Sequence, residues 1–182
     1  MARVLTFPAD RFPAALNWQA VSFMRVEWPF IDGGAFDQTY PMELDPVHFA
    51  VVEGDLLISY AATFRLPLDH QGTTYQMEML GNVFTFPGAR HQGHGRQVVA
   101  AATEHIRRSG ADAGALLCGP DLAPFYAGVG WESATAATLV PRGPREEPTK
   151  LDALRMMLFV SDQGIAARQS FTTTPLQVPF PW

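Results

Sequence analysis

The stretch Arg90-His91-Gln92-Gly93-His94-Gly95-Arg96 gathers two glycines, two arginines and two histidines within seven residues. The chemistry such a set serves is the holding of an anion. Gly93 and Gly95 remove side chains where a phosphate oxygen must approach the backbone closely. Arg90 and Arg96 supply positive charge, while His91, Gln92 and His94 supply polar contacts around the turn. An apolar run, Val83-Phe84-Thr85-Phe86, precedes it and reads as the end of a strand, and a helix is expected from about Gly95 to Ser109. Backbone N–H groups at a helix start have no intrahelical partner, and the helix dipole adds partial positive charge there. With a charge-assisted hydrogen bond contributing roughly 1.5–3 kcal/mol, several N–H donors and one arginine can hold a pyrophosphate. The dinucleotide fingerprint is excluded, because it needs a third glycine within a βαβ unit. A Walker A loop is excluded, because no Gly-Lys-Ser/Thr follows.

Arg90, Gly93 and Gly95 match Arg/Gln-x-x-Gly-x-Gly/Ala in type and spacing. Downstream lies Leu122-Ala123-Pro124-Phe125-Tyr126-Ala127-Gly128-Val129-Gly130-Trp131, a short helix carrying a tyrosine, then a glycine and an aromatic before a strand. In order and separation the two stretches resemble the acetyl-CoA pyrophosphate loop and the second signature of the GNAT superfamily of N-acetyltransferases. The resemblance covers about residues 47–160. It implies an α/β (α+β) GNAT fold, with a mixed, mostly antiparallel central sheet splayed at the acetyl-CoA site and flanked by helices. It also implies acetyl-CoA as cosubstrate. The long loop after the tyrosine helix and the C-terminal tail loosely resemble the aminoglycoside 2'-N-acetyltransferase branch. The tail here lacks the acidic residue such enzymes place near it.

The elements that must position these motifs follow from local pattern. Residues 3–7 are expected to form a strand. Phe12, Leu16, Ala20 and Phe23 space as an amphipathic helix over about Arg11–Trp28, with Asp10 as its cap. Strands are expected at Val47–Val52, Leu56–Leu66 and about Thr74–Phe86, joined by turns at Glu53-Gly54-Asp55 and Asp69-His70-Gln71-Gly72. Gly81, inside the third of these, marks a bulge. In the resembling family a bulge there splays two strands so that the pantetheine arm can add to the sheet edge, and Phe84, Thr85 and Phe86 would offer it backbone groups. Further strands are expected at Ala113–Cys118, Trp131–Val140 and Leu154–Val160. Asp121 is the expected cap of the tyrosine helix and is grouped with the cosubstrate site. The whole chain reads as one domain, with Ser161 to Trp182 an extended tail; three prolines in its last eight residues exclude a helix there. Phe180 and Trp182 are expected to pack on this subunit or a neighbour, which leaves a homodimer open.

Composition narrows the function classes. The chain has 182 residues, 47% hydrophobic and 17% charged, as in a globular enzyme. A net charge of −5 argues against nucleic acid as the main partner. No stretch is long and apolar enough for a membrane span. The single cysteine, Cys118, rules out an internal disulfide framework; with no signal peptide apparent, a cytoplasmic location is expected. No metal is expected, since no carboxylate or cysteine completes a site around His91 and His94. From Val26 to Phe64 there is no lysine or arginine, and the interval holds Glu27, Asp32, Asp37, Glu43, Asp45, Glu53 and Asp55. This is either a solvated acidic face or a rim that attracts a cationic amine.

The resemblance implies direct attack of a neutral amine on the thioester within a ternary complex. Tyr126 matches the family's general acid, which protonates the departing thiolate. The amine must first lose a proton. At a lysine-like pKa near 10.4 that costs about 4–5 kcal/mol at neutral pH, so the site must accept a proton directly or through water. Glu78 is the candidate base on the strand, with Asp32 and Asp37 as alternatives. Asn82, nearer the splay, cannot act as a base. Asp32, Asp37, Asn82 and Trp182 form the expected acceptor site for a small-molecule amine. A non-catalytic acetyl-CoA-binding protein of the same fold is the competing class.

Overall fold

The computed structural model describes residues 2–29, 36–143 and 146–182. The strands are β1 (Arg3–Phe7), β2 (Val47–Glu53), β3 (Leu56–His70), β4 (Thr73–Thr85), β5 (Ala113–Cys118), β6 (Glu132–Ser133), β7 (Thr138–Val140), β8 (Thr149–Lys150), β9 (Leu154–Phe159) and β10 (Leu176–Gln177). The helices are α1 (Ala14–Glu27), α2 (His94–Arg108), α3 (Ala123–Ala127), α4 (Asp162–Ala166) and α5 (Arg168–Thr173). The larger sheet runs β1-β2-β3-β4-β5-β9-β6, and a smaller one runs β10-β7-β8. The fold is mixed α/β with a mostly antiparallel central sheet: β4 and β5 pair in parallel, while β1–β2, β2–β3, β5–β9 and β6–β9 are antiparallel.

The chain forms two compact units. The first comprises Met1–Phe64 and Asn82–Ala102. Its core takes Ala20, Val21 and Met24 from α1, Phe49 and Val51 from β2, Tyr60 and Phe64 from β3, Phe84 from β4 and Val98 and Val99 from α2. Phe23 of α1 stacks on Phe84 at 4.4 Å and meets Phe86 edge-on at 4.9 Å, so the end of β4 is clamped by the first helix. The expected cap of α1 is corrected: Asp10 lies in a separate 3-10 turn, Ala9–Arg11, and Pro13 occupies the cap position without a side-chain bond.

The second unit comprises Arg65–Gly81 and Thr103–Trp182. Met77, Met79, Ile106, Ala115, Leu116, Met156, Met157 and Phe171 are buried in it. Gly114 of β5 makes room for a ring, since a Cβ there would lie 3.0 Å from Trp131 Cη2 and 3.2 Å from Ile106 Cγ2. The segment Trp131–Val140 is not one strand: β6 joins the large sheet and β7 the small one, because Ala134 N–H bonds Arg155 O while Thr135 and Ala136 N–H both bond Thr172 O. Nor is Ser161 onward extended. Ser161 Oγ accepts from Gly164 N–H and caps α4, and Asp112 Oδ1 accepts from Ser161 Oγ at 2.6 Å. Arg155 is 1% exposed. It donates to Ala137 O, Thr138 Oγ1, Phe171 O and Thr174 O, tying β7 and α5 to β9.

Candidate active site

Between β4 and α2 the chain makes a 3-10 turn, Pro87–Ala89, and then two left-handed residues, His91 at φ 63° and Gly93 at φ 85°. Successive N–H groups in such alternating conformations converge on a concavity that suits an anion. Helix α2 begins at His94, immediately after it. A Cβ at Gly93 would meet nothing within 4 Å, so the approach to the backbone is open. His94 Nδ1 is buried without a hydrogen-bond partner. Arg90 Nε donates to Thr85 O at 3.0 Å, which fixes the arginine across the turn, and Gln92 donates to Gly88 O. Convergent donors, an open backbone and an orphaned ring nitrogen fit a phosphate-bearing cosubstrate.

The strand leading into this loop is interrupted. Gln76 O accepts from Asp112 N–H at 2.7 Å, on the β5 side of β4. Phe86 N–H donates to Ile58 O at 3.0 Å, on the β3 side. In an unbroken strand, residues an even number apart address the same neighbour. One extra residue therefore lies between them, and Asn82, left-handed at φ 52°, is where the strand departs from extended geometry. Pairing of β4 with β5 stops just before, at Leu80↔Leu116. The bulge exchanges the edges. Phe84 O accepts from Ser59 Oγ and Phe86 N–H is spent on Ile58, so neither addresses the open edge, contrary to expectation. Val83 and Thr85 address it instead, and Val83 was missed by sequence reasoning. The signal was there: asparagine is the non-glycine residue that most readily adopts this conformation, and it follows Gly81.

Tyr126 sits on α3 and is 5% exposed. Helix α3 follows a 3-10 turn, Pro120–Leu122, whose cap position is Gly119; Asp121 lies inside that turn and makes no capping bond, which corrects its expected role. Trp131 N–H returns to Tyr126 O, and Trp131 Nε1 donates to Thr103 Oγ1 at 2.9 Å, so the tyrosine segment is anchored from its far end. Burial, followed by the neighbouring Cys118, pushes the Tyr126 phenol above its ordinary value, so it stays protonated at neutral pH. Burial, and then Asp121, push the Cys118 thiol up to about 11, so it is no thiolate nucleophile.

Glu78 is 3% exposed, with Arg65 Nε at 3.5 Å and His105 Nε2 at 3.6 Å, one on each oxygen. Asn82 donates its amide Nδ2 to Thr39 O at 2.8 Å. Asp37 is exposed, and its carbonyl receives Asn17 Nδ2. Asp32 lies outside the described residues. Trp182 Nε1 donates to Leu80 O at 3.2 Å, so the tail packs on its own chain at the last paired residue of β4.

The chain is an acyltransferase that draws on acyl-CoA. A family model described as an acetyltransferase (GNAT) domain matches residues 4–134, and the chain belongs to that family. No curated protein matches it. Among solved structures it is similar to Escherichia coli ElaA, with a TM-score of 0.64 and 15% identity over 87% of this chain and 99% of that one. It is also similar to the GNAT family N-acetyltransferase YhbS of Escherichia coli in complex with CoA, with a TM-score of 0.60 and 19% identity over 97% and 90%. An acyl-CoA N-acyltransferase of Pseudomonas aeruginosa aligns with a TM-score of 0.58 and 18% identity over 87% and 99%. At these identities the likeness is one of fold.

Proposed function

We propose that this protein transfers the acetyl group of acetyl-CoA to a primary amine of a small cationic molecule, by direct attack within a ternary complex. The loop at His91–His94 carries the reading: two left-handed residues and an open helix start form an anion cradle at the position where the family's pyrophosphate loop falls. Arg90, held by Thr85, and the backbone N–H groups of residues 93–96 receive the pyrophosphate. Val83, and the N–H of Thr85, offer backbone groups to the pantetheine amides. Tyr126, kept protonated by burial, gives its proton to the leaving sulfur. Asn82 and Trp182, with the acidic interval Glu27–Asp55, serve the acceptor.

The proton of the ammonium leaves through water. Glu78 is the only buried acidic residue among the described ones, yet one of its oxygens faces the Arg65 guanidinium and the other the His105 ring, which suits a structural joint between β4 and α2 better than a base. The deciding experiment is a screen of polyamines, aminosugars, amino acids and neutral amines for thiol release from acetyl-CoA. Turnover confined to cationic primary amines supports the reading. Turnover only with neutral or acidic amines overturns the acceptor class, and tight acetyl-CoA binding with no turnover on any amine favours the non-catalytic class.

A further inference from the structure

Asn82 holds an unfavourable conformation inside a strand, and a purely structural bulge is more simply made with glycine, the residue directly before it. What over-determines it is a chain of buried hydrogen bonds. His48 Nδ1 lies 2.7 Å from Tyr60 Oη, and Tyr60 O–H donates to Thr39 Oγ1 at 2.7 Å. Because the one phenolic proton goes to Thr39, the His48 ring carries its proton on Nδ1 and donates it to Tyr60. Thr39, His48 and Tyr60 are at most 5% exposed, and Phe12 stacks on the His48 ring at 4.2 Å. Burial lowers His48 to about 4, so the ring is neutral and the direction of the chain is fixed over the physiological range. The Thr39 carbonyl then receives Asn82 Nδ2. A carbonyl only accepts, so the amide is oriented without ambiguity, and Asn82 Oδ1 is left with no donor among the described residues.

We propose that Tyr60 and Thr39, backed by His48, are positioning residues for the acceptor: they hold the Asn82 amide so that its oxygen receives an N–H of the incoming amine. This rests on the acceptor reading of Asn82 given above. The network sits where the segment after α1 meets the bulge, so one polar chain sets both the turn of β4 and the direction of the Asn82 amide oxygen.

A double-mutant cycle tests this with spermine and glucosamine as primary-amine probes, whichever turns over. Asn82→Gly keeps the left-handed backbone and removes the amide. Tyr60→Phe removes only the hydroxyl that fixes Thr39. Each should raise the acceptor KM about three- to tenfold, the worth of one hydrogen bond, with acetyl-CoA Kd and kcat nearly unchanged. The double variant should be no worse than Asn82→Gly alone. Multiplying effects would mean that Tyr60 acts independently of Asn82, and overturns the positioning role. A raised KM in Asn82→Gly with a wild-type value in Tyr60→Phe also overturns that role while sparing the acceptor site. A wild-type KM in Asn82→Gly overturns the acceptor reading and the inference together, as does the failure of both probes.

Discussion

A phenol that is to protonate a thiolate must be protonated before the thiolate forms, and burial secures that for Tyr126. The same burial makes it a credible packing residue, so the two roles separate only in kinetics. Tyr126→Phe keeps the ring and removes the proton. Since general acid catalysis is worth about 10²–10⁴-fold, kcat should fall by about 100-fold or more, with acetyl-CoA Kd within about twofold by calorimetry. Unchanged turnover with chemistry rate-limiting would assign Tyr126 to the core. Glu78 makes the reverse case. Its partners Arg65 and His105 are 48% and 33% exposed at their side chains, so solvent weakens the pairing. Glu78→Gln should lower stability by about 1–2 kcal/mol, read as a lower denaturant midpoint, while kcat stays within about threefold. A drop in kcat of about 100-fold at unchanged stability would restore Glu78 as the base.

At the scale of the element, α2 and its loop carry the cosubstrate reading. Gly93 sits at φ 85°, where any side chain is strained, and the space beside it is open. Gly93→Asp adds both the strain and an anion at the mouth of the cradle, so acetyl-CoA Kd should rise by about 100-fold or more, a like charge outweighing at least one charge-assisted hydrogen bond. Unchanged affinity by calorimetry in a folded variant would remove the loop from the site. That loop was legible in the sequence because its glycines act locally: each requires a backbone geometry at its own position. The strands from Val47 to Cys118 were legible for a similar reason, each being an apolar run bounded by turn residues. The break between β6 and β7 was not, because Arg155 and Thr172, distant in the chain, decide where Ala134–Ala136 bond. The edge exchange at Asn82 was half legible. Gly81-Asn82 announces a bulge, but only the partners of Gln76 and Phe86 reveal which residues it turns outward. Helices α4 and α5 depart from the expected extended tail because the prolines that exclude a helix, Pro175, Pro179 and Pro181, all lie beyond them. A serine three residues before Gly164 is a helix start that the pattern could have shown.

At the scale of the molecule, charge is distributed unevenly along the chain. The net charge is −5, and the interval Val26–Phe64 alone carries −7, so the remainder is net positive by two. The six described carboxylates of that interval, Glu27, Asp37, Glu43, Asp45, Glu53 and Asp55, are all exposed. An exposed acidic surface acts through its field rather than through fixed bonds, so its influence on a cationic acceptor must fade as salt screens it. Between about 0.01 M and about 1 M salt the Debye length falls from roughly 30 Å to roughly 3 Å. Over that range the KM of a polyamine should rise about tenfold or more, and that of an amine with one charge should rise less. A contact between Trp182 and the acceptor would act at shorter range. The Trp182 indole donates to Leu80 O, where the pairing of β4 with β5 ends, and an aromatic face suits a cation or a sugar ring. Trp182→Ala should therefore raise the acceptor KM about five- to tenfold at any ionic strength, a cation–π contact being worth about 0.5–2 kcal/mol, and leave acetyl-CoA binding intact. The two effects are separable because only one of them depends on salt. A KM indifferent to salt removes the acidic interval from recognition and leaves it as a solvated face. A wild-type KM in Trp182→Ala leaves the tail as packing for the end of β4.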